Sequence, residues 1–217
     1  MATSETPKLT VKLSLSRSTY HFSEPAPPEL SIAITSDCDR PLTVFTWGKA
    51  LWPRLALAQQ KFRITDLANN AEVTQTSVQI QRMPHTRIRG SADEAYYMTI
   101  MPDVPATVST PFGRPNSRPQ PKAVAARGWE LDDKGNELKV RRSIHALGVD
   151  GLEPGHRYRL DVKRMELEGI WWRWGTKEDY LVDPDTQGAG RMWASGDSEQ
   201  DVLIFEPIEG VEFSVEE

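Results

Sequence analysis

Lys8 to Ser16 reads KLTVKLSLS, and its alternation constrains the fold more than any other feature. Leu9, Val11, Leu13 and Leu15 occupy every second position, separated by Lys, Thr and Ser. Successive side chains of a strand point to opposite faces, so this spacing makes one apolar face and one solvated face. ELSIAIT repeats the pattern with Leu30, Ile32 and Ile34 after the turn-forming EPAPP. LTVFTW follows the turn SDCDRP and ends at Trp47. Three such runs, punctuated by Pro, Asp and Ser, predict the start of an antiparallel sheet.

Further strands are expected downstream. KFRITDL and AEVTQTSVQI read as two strands across ANN, since Asn tolerates positive φ, and AYYMTIM is stopped by Pro102. KALWPRLALAQQ admits a helix or an irregular edge, because a proline bears on its middle. Six of the sixteen prolines lie between Pro102 and Pro121. Proline cannot donate to a ladder, which predicts a surface excursion with at most a short edge strand. WELDDKGNELKV reads as a hairpin turning at Gly135, and VEFSVEE as a last strand with an acidic outer face. No internal repeat and no long amphipathic helix emerges.

GLEPGHRYRLDV, Gly151 to Val162, has the form Leu-x-Pro-Gly-x-x-Tyr-x-Leu. It resembles the corner between the fifth and sixth strands of fibronectin type III and related immunoglobulin-like sandwiches. The resemblance implies that Pro154 and Gly155 carry the chain from one sheet to the other and that Leu152 plugs the end of the core. Tyr158 would then turn its ring inward and bond its hydroxyl to upstream backbone. Leu160 stands where an antibody-type domain has a disulfide cysteine, and ELSIAIT lacks the tryptophan usual in fibronectin type III modules. The expected fold is therefore all-β: an elaborated immunoglobulin-like antiparallel β-sandwich over 8–217, after a flexible 1–7, with loop excursions near 102–128 and 165–200. Two smaller sandwiches are the alternative, although no linker of flexible composition divides the chain.

Composition narrows the setting. The net charge of −5 conceals a basic middle, with eleven Lys/Arg against seven Asp/Glu from Arg82 to Arg142, and an acidic end without a basic residue after Arg191. An acidic chain with no basic recognition motif argues against nucleic acid as a partner. No apolar run is long enough for a spanning helix, so no membrane partner is expected. MATSETPKLTVKL has neither a charged nor an apolar leader region. Cys38 has no partner for an internal disulfide, and none of the four asparagines begins an N-glycosylation triplet. These features together predict a cytoplasmic protein.

Candidate chemistry concentrates in WWRWGTKEDY. Trp171, Trp172 and Trp174 can stack a flat ligand, while Arg173 can bind a carboxylate or phosphate. Alternation would set Trp171 and Arg173 on one face and Trp172 and Trp174 on the other, so that one pair fills the core. His145 and His156 flank the corner; near Asp150 or Asp179, either could serve as a general base. Asp179, Asp183 and Asp185 could surround calcium, but Asp-Pro-Asp-Thr serves equally as a turn, the preferred reading. No HxH, HExxH, GxSxG, GxxxxGK(S/T) or GxGxxG is present, so neither a metal nor a cofactor is expected.

The functional expectation is a non-catalytic intracellular binding module. It would recognise a small hydrophobic or anionic ligand, or a protein partner, through the aromatic-basic segment Trp171, Trp172, Arg173 and Trp174. The alternative is a cofactor-independent cyclase, isomerase or lyase using His145, His156, Asp179 or Tyr180 on a hydrophobic metabolite. A third possibility is an adaptor resembling arrestin-like sandwiches that pairs through an edge strand, a route also to a homo-oligomer.

Overall fold

A computed structural model describes residues 6–24, 26–75, 77–78, 80, 85–113, 129–131, 137–139, 149, 151–186 and 202–217. Over these residues the chain is an all-β protein with two short helices. In chain order, the first half comprises β1 (Lys8–Leu15), β2 (Thr19–His21), β3 (Glu29–Ser36), β4 (Leu42–Phe45), α1 (Pro53–Ala58), β5 (Phe62–Asp66), β6 (Ala71–Glu72), β7 (Tyr97–Ile100) and β8 (Ala106–Pro111). The second half comprises β9 (Trp129–Leu131), β10 (Glu137–Lys139), β11 (Arg157–Val162), β12 (Trp172–Trp174), α2 (Lys177–Tyr180), β13 (Ile204–Phe205) and β14 (Val211–Glu216). One sheet runs β13-β1-β3-β8 and a second β2-β14-β11-β5-β6. A third, smaller one runs β12-β4-β7, and β9 and β10 form a separate hairpin.

The first two sheets share one apolar core. Leu9, Val11 and Leu13 of β1 pack in the same cluster as Leu30, Ile32 and Ile34 of β3, Ile64 of β5, Leu160 of β11 and Val215 of β14. The period-two faces of the sequence supply these residues, and β1 and β3 pair antiparallel from Leu9↔Ser36 to Leu15↔Leu30. The sheets are mostly rather than wholly antiparallel, because β1–β13 and β2–β14 are parallel pairs.

The third predicted strand departs from expectation. All four residues of β4 are buried, so it has no solvent face to present at the edge of the first sheet. It pairs instead with β7 and β12, as the middle of the third sheet.

Other segments also take more definite forms. KALWPRLALAQQ contains α1, with Pro53 in the first turn, where the missing N–H is an orphan in any case. Among its described residues, AEVTQTSVQI contributes the two-residue β6. Both expected excursions contain regular structure, β8 in the first and β12 with α2 in the second. Because β8 is an edge strand, Pro105 and Pro111 break no interior ladder. Pairing of β9 with β10 gives the expected hairpin, with Leu131 opposite Glu137; Gly135 lies outside the described residues.

At the corner, Leu152 and Tyr158 are each 1% exposed. The Tyr158 ring stacks on Phe213 at 5.6 Å, and its hydroxyl accepts the Glu153 backbone N–H at 2.9 Å. Gly155 takes the positive φ of 85° that the turn requires, and its N–H donates to the Val215 carbonyl at 2.8 Å. No helix among the described residues is long and apolar enough to cross a membrane.

Candidate functional site

The third sheet divides the tryptophan segment between two environments. Trp172, 2% exposed, belongs to the main core, and Trp174 packs edge-on against it at 5.2 Å. The Arg40 guanidinium lies 3.7 Å from the centre of the Trp174 ring. Trp171 belongs to a second cluster with Phe45, Tyr97, Tyr180 and Leu181. Its indole meets Tyr180 at 4.7 Å, Tyr97 at 5.7 Å and His85 at 5.8 Å. His85 in turn stacks face-to-face on Phe45 at 3.7 Å. The guanidinium carbons of Arg87 and Arg173 lie 5.1 Å and 5.5 Å from the Tyr180 ring centre.

Local hydrogen bonds set this cluster. The Asp179 carboxylate accepts the Thr176 N–H and hydroxyl, each at 2.8 Å, closing the start of α2 so that Tyr180 turns inward. Those bonds favour the ionised carboxylate and hold its pKa below the ordinary value, led by the backbone N–H. Asp179 therefore organises a helix start. Asp183 pairs with Arg89 at 3.1 Å and, through its carbonyl, accepts the Thr186 N–H in a turn. No group of three or more metal-ligating side chains is assembled among the described residues.

His156 sits elsewhere, at the corner of the second sheet. Its Nδ1 is 2.7 Å from Asp66 Oδ2, and its Nε2 is 3.9 Å from Glu153. Asp66 is buried and also accepts the Ala68 N–H at 2.9 Å. The backbone bond first, then His156, lowers its pKa. Sequence reasoning offered Asp150 or Asp179 as the partner and missed Asp66. The signal available was local: an Asp ending a strand two residues before a free N–H, an Asx turn in ITDLA. His145 and Asp150 lie outside the described residues. No hydrogen bond or ion pair joins His156 to Asp179.

Beside the aromatic cluster opens a cleft of about 440 Å³. Trp52, Tyr97, Met98, Met101 and Val108 make its apolar walls, and Lys177 and Glu178 border it from α2. Its threonine hydroxyls are engaged with protein. That of Thr46 donates to the Tyr96 carbonyl at 2.9 Å, and that of Thr99 accepts the Lys177 N–H at 2.9 Å. Lys177 Nζ lies 4.0 Å from Glu94, at the outer limit of an ion pair. Lys177 and Glu178 belong to WWRWGTKEDY, but the apolar wall residues were not singled out as site residues in the sequence, because they come from separate segments in and beside α1, β7 and β8.

No protein-family model matches the chain, and no curated protein matches it as a relative. The functional reading therefore rests on the site itself.

Proposed function

We propose that the protein is a non-catalytic intracellular binding module on an immunoglobulin-like β-sandwich, taking a small hydrophobic ligand into the cleft beside α2. The sandwich assignment is supported by two sheets around one core and by the Tyr158 hydroxyl bond at the corner. An intracellular setting is supported by a single cysteine and the lack of N-glycosylation triplets.

The cleft carries the functional reading. Its volume of about 440 Å³ is in the range of small-molecule clefts, and it is open to solvent on one side. Two methionines and two aromatic rings form walls that adapt to shape, and the hydroxyl groups are committed to protein partners. Among the described residues of the lining the ionisable groups are Lys177 and Glu178, both on the α2 border rather than in the apolar walls. The best-held acid–base pair, His156 with Asp66, belongs to another sheet.

The test compares wild type with Val108→Trp, which fills the cleft from an edge strand. Both are incubated with a metabolite extract and analysed by native mass spectrometry. A compound retained by wild type and lost from the variant, at unchanged melting temperature, is expected. Equal retention by both proteins, or turnover of the compound into a new mass, refutes the reading.

A further inference from the structure

We propose that Trp171 and Arg173 form a carboxylate-binding site against the Tyr180 ring, distinct from the cleft and specific for a carboxylate carried on a planar ring. Two independent observations converge there. The Trp171 side chain is 9% exposed, yet its indole Nε1 is sealed from solvent and has no acceptor among the described residues. A buried N–H left without an acceptor costs about 1–3 kcal/mol, so such donors are rare in folded chains. Arg173, two residues on and on the same side of the strand, makes no hydrogen bond or ion pair among the described residues. Both side chains touch the same ring, Trp171 at 4.7 Å and Arg173 at 5.5 Å.

Four carboxylates of the surrounding segments are engaged elsewhere, while that of Glu178 on α2 makes no hydrogen bond or ion pair among the described residues. Asp179 is taken by Thr176, Asp183 by Arg89, and Asp93 by the Thr86 N–H at 2.7 Å. Glu94 accepts the Gly90 N–H and stands opposite Lys177. The Arg87 guanidinium lies 5.1 Å from the centre of the same Tyr180 ring. A guanidinium fork and an indole N–H are donors only, so the group that satisfies both is an acceptor. Two coplanar oxygens match the fork, and the flanking rings of Trp171, Tyr180 and His85 suit a planar carrier. The site adjoins the cleft through Tyr97, which lines the cleft and packs on Trp171, but Trp171, Arg173 and Tyr180 are not among the residues lining it.

The experiment reads the side-chain indole signals in ¹H–¹⁵N spectra, with the Trp171 signal assigned by its loss in Trp171→Phe. The probes are benzoate, benzamide and inorganic phosphate at equal ionic strength. Benzoate is expected to shift the Trp171 signal saturably and benzamide to leave it in place. Arg173→Met should weaken the benzoate response at least tenfold. Arg40→Met, which alters a guanidinium on the other side of the sheet, should not change it. The remaining indole signals report that each variant is folded. A Trp171 signal indifferent to benzoate, or one that responds equally in Arg173→Met, overturns the site. Phosphate as effective as benzoate overturns the carboxylate assignment. Val108→Trp should leave the benzoate response intact, so failure of the cleft reading and failure of this one are distinguishable.

Discussion

Replacing Tyr158 with Phe removes one oxygen atom from the corner and nothing else. In the wild type that oxygen accepts the Glu153 N–H at 2.9 Å, beside a ring that is 1% exposed. Glu153 itself is exposed, so water can reach part of the freed N–H and the cost falls in the lower part of the usual range, about 1–2 kcal/mol. For a chain of this size each kcal/mol lowers the melting temperature by about 2–4 °C, which predicts a fall of about 2–8 °C. Tyr158→Leu should cost a further ~1–2 kcal/mol, because it also removes the stack on Phe213. Urea denaturation followed by far-ultraviolet circular dichroism and by tryptophan fluorescence gives both numbers, with coincident transitions as the check on two-state behaviour. A Tyr158→Phe protein within about 0.5 kcal/mol of wild type would refute the reasoning, since surface-like changes fall in that band. The corner would then be held by ring burial alone.

Trp172→Ala should cost about 3–5 kcal/mol and Trp174→Ala less than half as much, measured by the same denaturation, because only the first indole is enclosed in the main core. Equal losses would contradict the difference in burial between the two indoles. Asp66 has a folded-state pKa below its unfolded value, so its stabilisation is complete above the unfolded pKa near ~4 and is lost as pH falls through the folded one. The stability gap between wild type and Asp66→Asn, read from urea midpoints, should accordingly narrow as pH falls below the ordinary carboxylate titration range. Gly113→Ala should destabilise by roughly 3 kcal/mol, since φ is +139° and a Cβ would collide with the Tyr20 hydroxyl oxygen; a neutral substitution in thermal melts would exclude that clash. Cys38 is 4% exposed and burial raises its thiol pKa, so a disulfide reagent at neutral pH should label it only after unfolding.

Much of the sheet structure was legible because strand faces are written locally. The alternations in KLTVKLSLS and ELSIAIT reappear as the buried faces of β1 and β3, and the corner tyrosine announces its own environment through the Pro-Gly before it. The candidate site was legible only in part. WWRWGTKEDY was visible as an aromatic and basic concentration, but its residues alternate between the main core and a second cluster. The sequence alone could not show which pair faced which, because that depends on pairing with β4. The hydrogen bonds of Asp179 at the start of α2 depend on a neighbour three residues away, Thr176.

Local chemistry in the chain determined an all-β fold, the positions of most strands and the sharp turn before Tyr158, since period-two patterning and turn residues act over a few positions. Tertiary structure alone decided the partners. β4 left the first sheet because both its faces are buried, and Asp66 reached His156 across 90 residues. The cleft took its walls from separate segments, and Trp171, Arg173 and Tyr180 met through the packing of a strand end against a four-residue helix. Contacts between residues far apart in the chain depend on which surfaces the folded chain buries together, and no short stretch of sequence records that choice.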